Sequence, residues 1–420
     1  MKRLAALLLL LVAANAGAGI VRIRVEDMIH PITDEFIGRA LDDAAAAKAD
    51  AVLIELSTPG GLDESTRAIV QKIIKSPVPV IVYVTPSGSR AASAGFFILQ
   101  SADVAAMAPG TSTGAAHPVL LGEKLDDVMK MKLQNDAAAF MRSIVQRRGR
   151  NVAAAEAGVR EAKSFSETEA LTQKVIDVVA ADIPSLLRAV DGRTIKRFDG
   201  RMQKLSVSGK AVRTIDMSLK QRLLSFIMNP NIAFILMSLG MLALWAEFNH
   251  PGAIVPGVVG LISIVLAVFA LNLLPTRYSA LVLILVAFAL FALEAKFASH
   301  GILGIGGAIC MTMGALLLVD GPIPEMRVNM MTAISVSIPF AIIAVFLMTL
   351  VLKTREQPVA TGAEAMVGEV GVAKTTVALE GKVFVHGELW NASSDVPIEV
   401  GGRVRVRAVN GLRVVVDPAA

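Results

Sequence analysis

The chain has 420 residues, 41 Lys+Arg against 36 Asp+Glu, a formal charge of +5, and is 54% hydrophobic but only 18% charged. That is too apolar for one soluble globule, and the positive excess is too dilute for a nucleic-acid binder, which concentrates cations against phosphate. The single cysteine, Cys310, sits in an apolar segment and excludes an internal disulfide framework.

Lys2 and Arg3, an apolar stretch over residues 4–14 and small residues around Ala16 and Ala18 read as a signal peptide over 1–18. A domain over 19–200 follows, in which strand-like and helix-like patterns alternate. Val21, Ile23 and Val25 alternate with charged residues as in a half-buried strand, and a helical stretch near 35–48 leads to a buried strand at 51–56. Leu62, Ile69, Ile73 and Ile74 form a helix stripe that Pro77 ends; strands follow at 80–84 and 104–107, with a helix over 89–101 between them. A long helix is expected from about 125 to 148, and Ser166 with Glu169 predicts a capping box before a strand over 175–179. Repeated strand–helix alternation predicts an α/β layered domain with a largely parallel sheet.

Residues 201–222, polar and basic, read as a linker. Apolar segments near 226–246, 253–274, 279–293, 302–319 and 332–352 predict a polytopic membrane region of about five helices over 223–353, with the first interrupted at Asn229-Pro230-Asn231 and the third short before Glu294. Glu247 and Glu294 fall at segment ends, where interfacial placement is expected. Short alternating strands over 360–418 predict a small β-barrel of the OB type, with Arg403, Arg405 and Arg407 on one strand face. An exported front domain and five spans would leave the barrel on the cytoplasmic side of a bacterial inner membrane, with Lys353 and Arg355 inside.

Chemistry concentrates in the front domain. Ser93 lies in the small-residue run Ala91-Ala92-Ser93-Ala94-Gly95 after an apolar strand, which suits a nucleophile on a tight turn as well as a close-packed helix start. Gly60-Gly61, after another buried strand, and the Ala94 N–H are candidate oxyanion donors at the same edge of a parallel sheet. Two bases stand open. Lys132 on the long helix must be desolvated to act near neutrality, for which Met129, Met131 and Leu133 are suitable neighbours; Lys124 and Lys130 are its rivals. His117 would need a carboxylate such as Asp103 or Asp126 to complete a triad.

The runs Ser57-Thr58-Pro59-Gly60-Gly61, Ala91 to Gly95, Met107-Ala108-Pro109-Gly110-Thr111-Ser112, Gly149-Arg150-Asn151 and the glycine-rich stretch from Gly301 to Gly307 together resemble the NfeD family of membrane serine proteases. The resemblance spans nearly the whole chain. It implies a Clp/crotonase-like protease fold, Ser93 as nucleophile, Lys132 as base, and Gly61 and Ala94 as oxyanion donors, with no cofactor or metal. It also implies hydrophobic membrane-associated peptide substrates, stomatin- or flotillin-like scaffold partners, contact with membrane lipid, and a homo-oligomer of at least two copies. A non-catalytic scaffold and a Ser-His hydrolase using His117 are the alternatives.

Overall fold

Three runs with no polar alternation need cover on both faces: β2 (Ala51–Leu56), β3 (Val80–Val84) and β5 (Val104–Met107). With β1 (Ile20–Val25), β8 (Val178–Val179) and β11 (Val212–Thr214) they form an all-parallel six-stranded sheet in the order β11-β1-β2-β3-β5-β8. Val52, Ile54 and Leu56 face a core shared with α1 (Pro31–Ala46), α2 (Asp63–Lys75), α3 (Ala94–Ser101), α4 (Asp127–Arg148) and α5 (Val152–Arg160). Leu53, Ile81 and Tyr83 face a second core closed by α7 (Ile183–Val190) and the hairpin of β9 (Thr194–Lys196) and β10 (Met202–Lys204). A smaller sheet, β4 (Arg90–Ala92), β6 (Ser112–Gly114) and β7 (Ser164–Ser166), stands beside it, and the expected capping box starts α6 (Glu167–Thr172).

The computed structural model describes residues 19–119, 126–249, 252, 254–297, 299–321, 323–356 and 363–419. The signal expected at 1–18 and the rival base Lys124 lie outside them. Part of the stretch read as a linker is structural: β11 pairs with β1 through Val212, Arg213 and Thr214 and covers one sheet edge.

Buried arginines anchor the far end of α3. Arg148 donates to the Ser101 carbonyl and pairs with Asp103 at 2.5 Å, and Arg197 pairs with the same carboxylate at 2.8 Å. Arg150, from the Gly149-Arg150-Asn151 motif, donates to the Gln100 and Ala102 carbonyls and pairs with Asp177 at 2.7 Å. These cations satisfy the carbonyls where the helix dipole is negative. The Asp103 side chain is 2% exposed, so Asp103→Asn strands two buried cations and is expected to destabilise the protein by about 3–5 kcal/mol, read as a lowered unfolding midpoint of the full-length chain.

By contact pattern the chain divides into Met1–Ala289 with Gly306–Phe340, and Leu290–Ile305 with Ala341–Ala420. In the first unit, α8 (Leu219–Ile227) ends at the predicted Asn-Pro break and α9 (Pro230–Asn249) begins there. It packs on α10 (Ile254–Leu273), where a Cβ on Gly240 would lie 3.0 Å from the Gly260 carbonyl oxygen. The remaining apolar helices are α11 (Tyr278–Lys296), α12 (Ile302–Leu318) and α13 (Met330–Glu356). Apolar helices therefore occupy the five expected segments, and among the described residues four apolar stretches are long enough to cross a membrane: α9, α10, α11 and Pro324–Thr349. The short member is α12, not the third segment. Its 17 residues rise only about 26 Å, below the roughly 30 Å of a hydrocarbon core.

In the second unit, Glu294 is fully buried and accepts hydrogen bonds from Ser299 Oγ (2.5 Å) and the Gly301 and Gly304 amides (3.0 and 2.9 Å), capping the start of α12. The C-terminal strands β12 (Val370–Ala373), β13 (Gly381–Val385), β14 (Glu388–Ser393), β15 (Arg403–Asn410) and β16 (Arg413–Pro418) close into a five-stranded barrel, as the OB reading expects, around Val383, Val385, Val404, Val406, Val414 and Val416.

Candidate active site

Ligands of parallel α/β sheets gather at the carboxyl ends of the strands, and Ser93 and the Gly60-Gly61 turn both lie there. Beyond β2, the Thr58 amide donates to the Arg90 carbonyl (2.7 Å) and the Ala92 amide to the Thr58 carbonyl (3.1 Å). This short parallel pairing lays the glycine turn along the segment carrying Ser93. The fit is tight: a Cβ on Gly60 would sit 2.8 Å from Ser93 Cβ and 3.2 Å from its Oγ, and Gly60 holds φ +130°.

Ser93 itself has φ 54° and ψ −112°, a conformation that costs a non-glycine residue about 1–3 kcal/mol. It is held there by its own amide, which donates to the Gly114 carbonyl (2.9 Å), and by β4 before it and α3 after it. A strained serine between a strand and a helix is the geometry that presents a nucleophilic hydroxyl. Among the described residues that hydroxyl makes no hydrogen bond, and the side chain is half-buried.

Two backbone donors stand beside it. Gly60 donates its amide to Thr58 Oγ1 (3.2 Å) and its carbonyl accepts from the Ile29 amide (2.9 Å). Because the peptide is trans and planar, a Gly60 carbonyl turned to Ile29 turns the Gly61 N–H the opposite way. Ala94 is the first residue of α3, so its N–H has no intrahelical partner. Among the described residues neither N–H has a partner. Gly60→Ala drives a methyl group into Ser93 and, if Ser93 reacts, is expected to lower kcat for a quenched apolar peptide about 10²-fold with KM little changed, because small displacements of reacting groups have effects of that size.

The candidate bases fare differently. Lys132 is on the first turns of α4, ahead of the buried anchor of that helix at Ala137, Ala138 and Met141. It is exposed and, among the described residues, makes no hydrogen bond or ion pair. The neighbours expected to bury it do not: Met129 and Met131 are themselves exposed, with Val128, and Leu133 is half-buried. Lys130 is engaged by Asp127 at 3.0 Å. His117 donates Nδ1–H to the Val159 carbonyl (3.1 Å), which leaves Nε2 as a lone-pair acceptor. Neither carboxylate suggested for it holds its ring: Asp103 is taken by Arg148 and Arg197, and Asp126 caps α4 through the Met129 amide (2.7 Å). The structure thus brings Ser93, Gly60, Gly61 and Ala94 together and joins neither Lys132 nor His117 to Ser93 by a hydrogen bond.

An open cleft of about 380 Å³ flanks the glycine turn, lined by Glu26, Asp27, Met28, Pro59, Arg90 and Glu325, among others. Arg90 of β4 pairs with Glu325 at 2.6 Å. Sequence reasoning missed this loop of 26–30, whose polar residues carry no periodic or motif signal.

Three family models match the chain in succession: an NfeD1b N-terminal domain over 20–214, an NfeD integral membrane domain over 231–350, and an NfeD-like C-terminal, partner-binding domain over 363–418. Over 404 residues the chain is 35% identical to a membrane-bound protease of Pyrococcus horikoshii, covering 94% of this chain and 92% of that one. It is 27% identical over 412 residues to the membrane protein NfeD1b of Bacillus subtilis, covering 94% and 91%. A solved structure of a membrane protease specific for a stomatin homolog, from Pyrococcus horikoshii, is 35% identical with a TM-score of 0.45, covering 50% of this chain and 99% of that one.

Proposed function

The chain belongs to the NfeD family of membrane proteins, and on that premise we propose that it is a membrane-anchored serine endopeptidase that cleaves hydrophobic segments of membrane-associated proteins. The observation that carries this reading is Ser93: a strained serine whose hydroxyl, like the N–H groups of Gly61 and Ala94 near it, has no partner among the described residues. In the proposed reaction a base takes the Ser93 proton as Oγ attacks the scissile carbonyl, and the two amides hold the resulting oxyanion. The base then protonates the leaving amine, and water releases the acyl group from Ser93.

We assign Lys132 as the base, following the family resemblance. An ammonium in water cannot act so, and the exposed Val128, Met129 and Met131 around it form the apolar surface that a second copy of the chain would cover. The proposal therefore makes the active species an oligomer, with its protease domain on the outer face of a bacterial inner membrane. The barrel takes the partner role, with stomatin- or flotillin-like scaffolds as its ligands; exposed Arg403 and Arg405 have no ion pair among the described residues, whereas Arg407 pairs with Asp395.

The exposure of Lys132 is also the observation that favours a non-catalytic scaffold. Fluorophosphonate labelling of the full-length protein separates the two: labelling that Ser93→Ala removes supports the protease, and an unlabelled, uncleaving wild type supports the scaffold.

A further inference from the structure

The loop that grips the glycine turn is itself held by α8, the helix that leads into α9. Ile29 is paired with Gly61: its amide donates to the Gly60 carbonyl (2.9 Å) and its carbonyl accepts from the Leu62 amide (2.8 Å). The plane of the Gly60–Gly61 peptide, and hence the direction of the Gly61 N–H, is therefore set by where Ile29 stands.

Ile29 stands where Asp27 and His30 place it. Asp27 Oδ1 accepts from the Met28 amide (2.7 Å), and Thr33 Oγ1 donates to the Met28 carbonyl (2.9 Å). His30 is 1% exposed and caps α1, its Nδ1 accepting from the Ile32 and Thr33 amides (3.2 and 3.3 Å). A ring nitrogen that accepts carries no proton, so the proton is on Nε2, which donates to Asp27 Oδ2 (3.3 Å).

The third member of this cluster comes from far along the chain. Ser225 of α8 donates Oγ–H to Asp27 Oδ2 at 2.5 Å. Burial works against ionisation of Asp27, but the His30 and Ser225 hydrogen bonds outweigh it and hold the carboxyl below the usual range, so it remains a double acceptor. Ser225, His30 and an aspartate in one cluster suggest a second hydrolytic triad, but the geometry excludes it. Ser225 and Asp27 both meet the same ring nitrogen, and that nitrogen carries the proton, so the ring has no free lone pair with which to activate a hydroxyl.

The cluster instead fastens α8 to the oxyanion loop. A second bond supports it, Gln221 Nε2 to Glu35 Oε1 on α1 at 2.9 Å. Helix α8 ends at Ile227, and the first membrane-capable helix begins three residues later at Pro230. We infer that Ser225 is a positioning residue for catalysis: through Asp27 and Ile29 it fixes the peptide that presents the Gly61 N–H, making turnover depend on how the membrane helices seat α8. This rests on the protease reading of Ser93 given above.

The test uses full-length protein in detergent, a quenched fluorescent apolar peptide as substrate, and Ser93→Ala as the inactive control. Ser225→Ala is expected to lower kcat about tenfold, part of the 10²–10³ typical of losing an oxyanion donor outright, with KM unchanged. Hydrogen exchange over 57–62 should quicken in that variant, and Ser225→Thr, which restores a hydroxyl, should recover both. If Ser225→Ala melts below the assay temperature, Asp27→Asn replaces it, with the same kcat-selective loss expected. Unchanged kcat in either folded variant, a loss confined to KM, or failure of Ser225→Thr to rescue overturns the inference. Cleavage that survives Ser93→Ala would instead overturn the protease reading itself.

Discussion

Full-length protein carrying Ser93→Ala is expected to lose cleavage of an apolar peptide by about 10⁶-fold while keeping its fold, as when a serine nucleophile is removed from an otherwise intact site. The fold survives because the position is held by backbone, through the Gly114 carbonyl and the β4–β6 pairing, and among the described residues the hydroxyl bonds nothing that alanine would leave unsatisfied. The same geometry gives an internal control. Ser93→Gly should be as inactive, yet more stable than Ser93→Ala by about 1 kcal/mol, because glycine adopts φ 54° without strain. Two dead variants whose melting points differ in that sense would separate loss of a nucleophile from loss of structure.

Lys132→Met is expected to reduce kcat by about 10²–10⁴-fold, the usual contribution of a general base, whereas His117→Ala should leave it within a few-fold of wild type. The reasoning lies in what each side chain lacks. His117 has, among the described residues, an unbonded Nε2 and no carboxylate to stabilise the imidazolium it would become. Lys132 lacks burial and a hydrogen bond to Ser93, and exposed Val128, Met129 and Met131 mark where a covering surface would seat. Activity should accordingly rise more than linearly with enzyme concentration where copies dissociate. A His117→Ala variant that is dead beside an active Lys132→Met would reverse the assignment.

What the sequence makes legible follows from how strongly each feature repeats. β2, β3 and β5 announce themselves as apolar-rich runs between turns, because a strand covered on both faces buries every side chain; the one charge among them, Glu55 of β2, is paired with Arg22 and Arg24. The turn at Ser93 is legible because only small residues fit where Gly60 and Gly95 pack. β11 is not legible: Val212, Arg213 and Thr214 are all exposed, and an edge strand of three residues joins through its backbone, leaving no pattern in side chains. Nor is the Asp27–His30–Ser225 cluster, whose members are up to 198 positions apart and owe their meeting to the tertiary fold alone. Apolar character misleads at Met129 and Met131, which read as burial partners for Lys132 yet point away from this chain's own core.

Every strand of the C-terminal barrel is flanked by two others, β12 meeting β15 to complete the ring. Such a ring offers no row of unpaired peptide groups, so a visiting polypeptide cannot join it by extending the sheet. Whatever binds there must read side chains or loops, and its selectivity should shift with single surface substitutions while tolerating changes to its own backbone conformation.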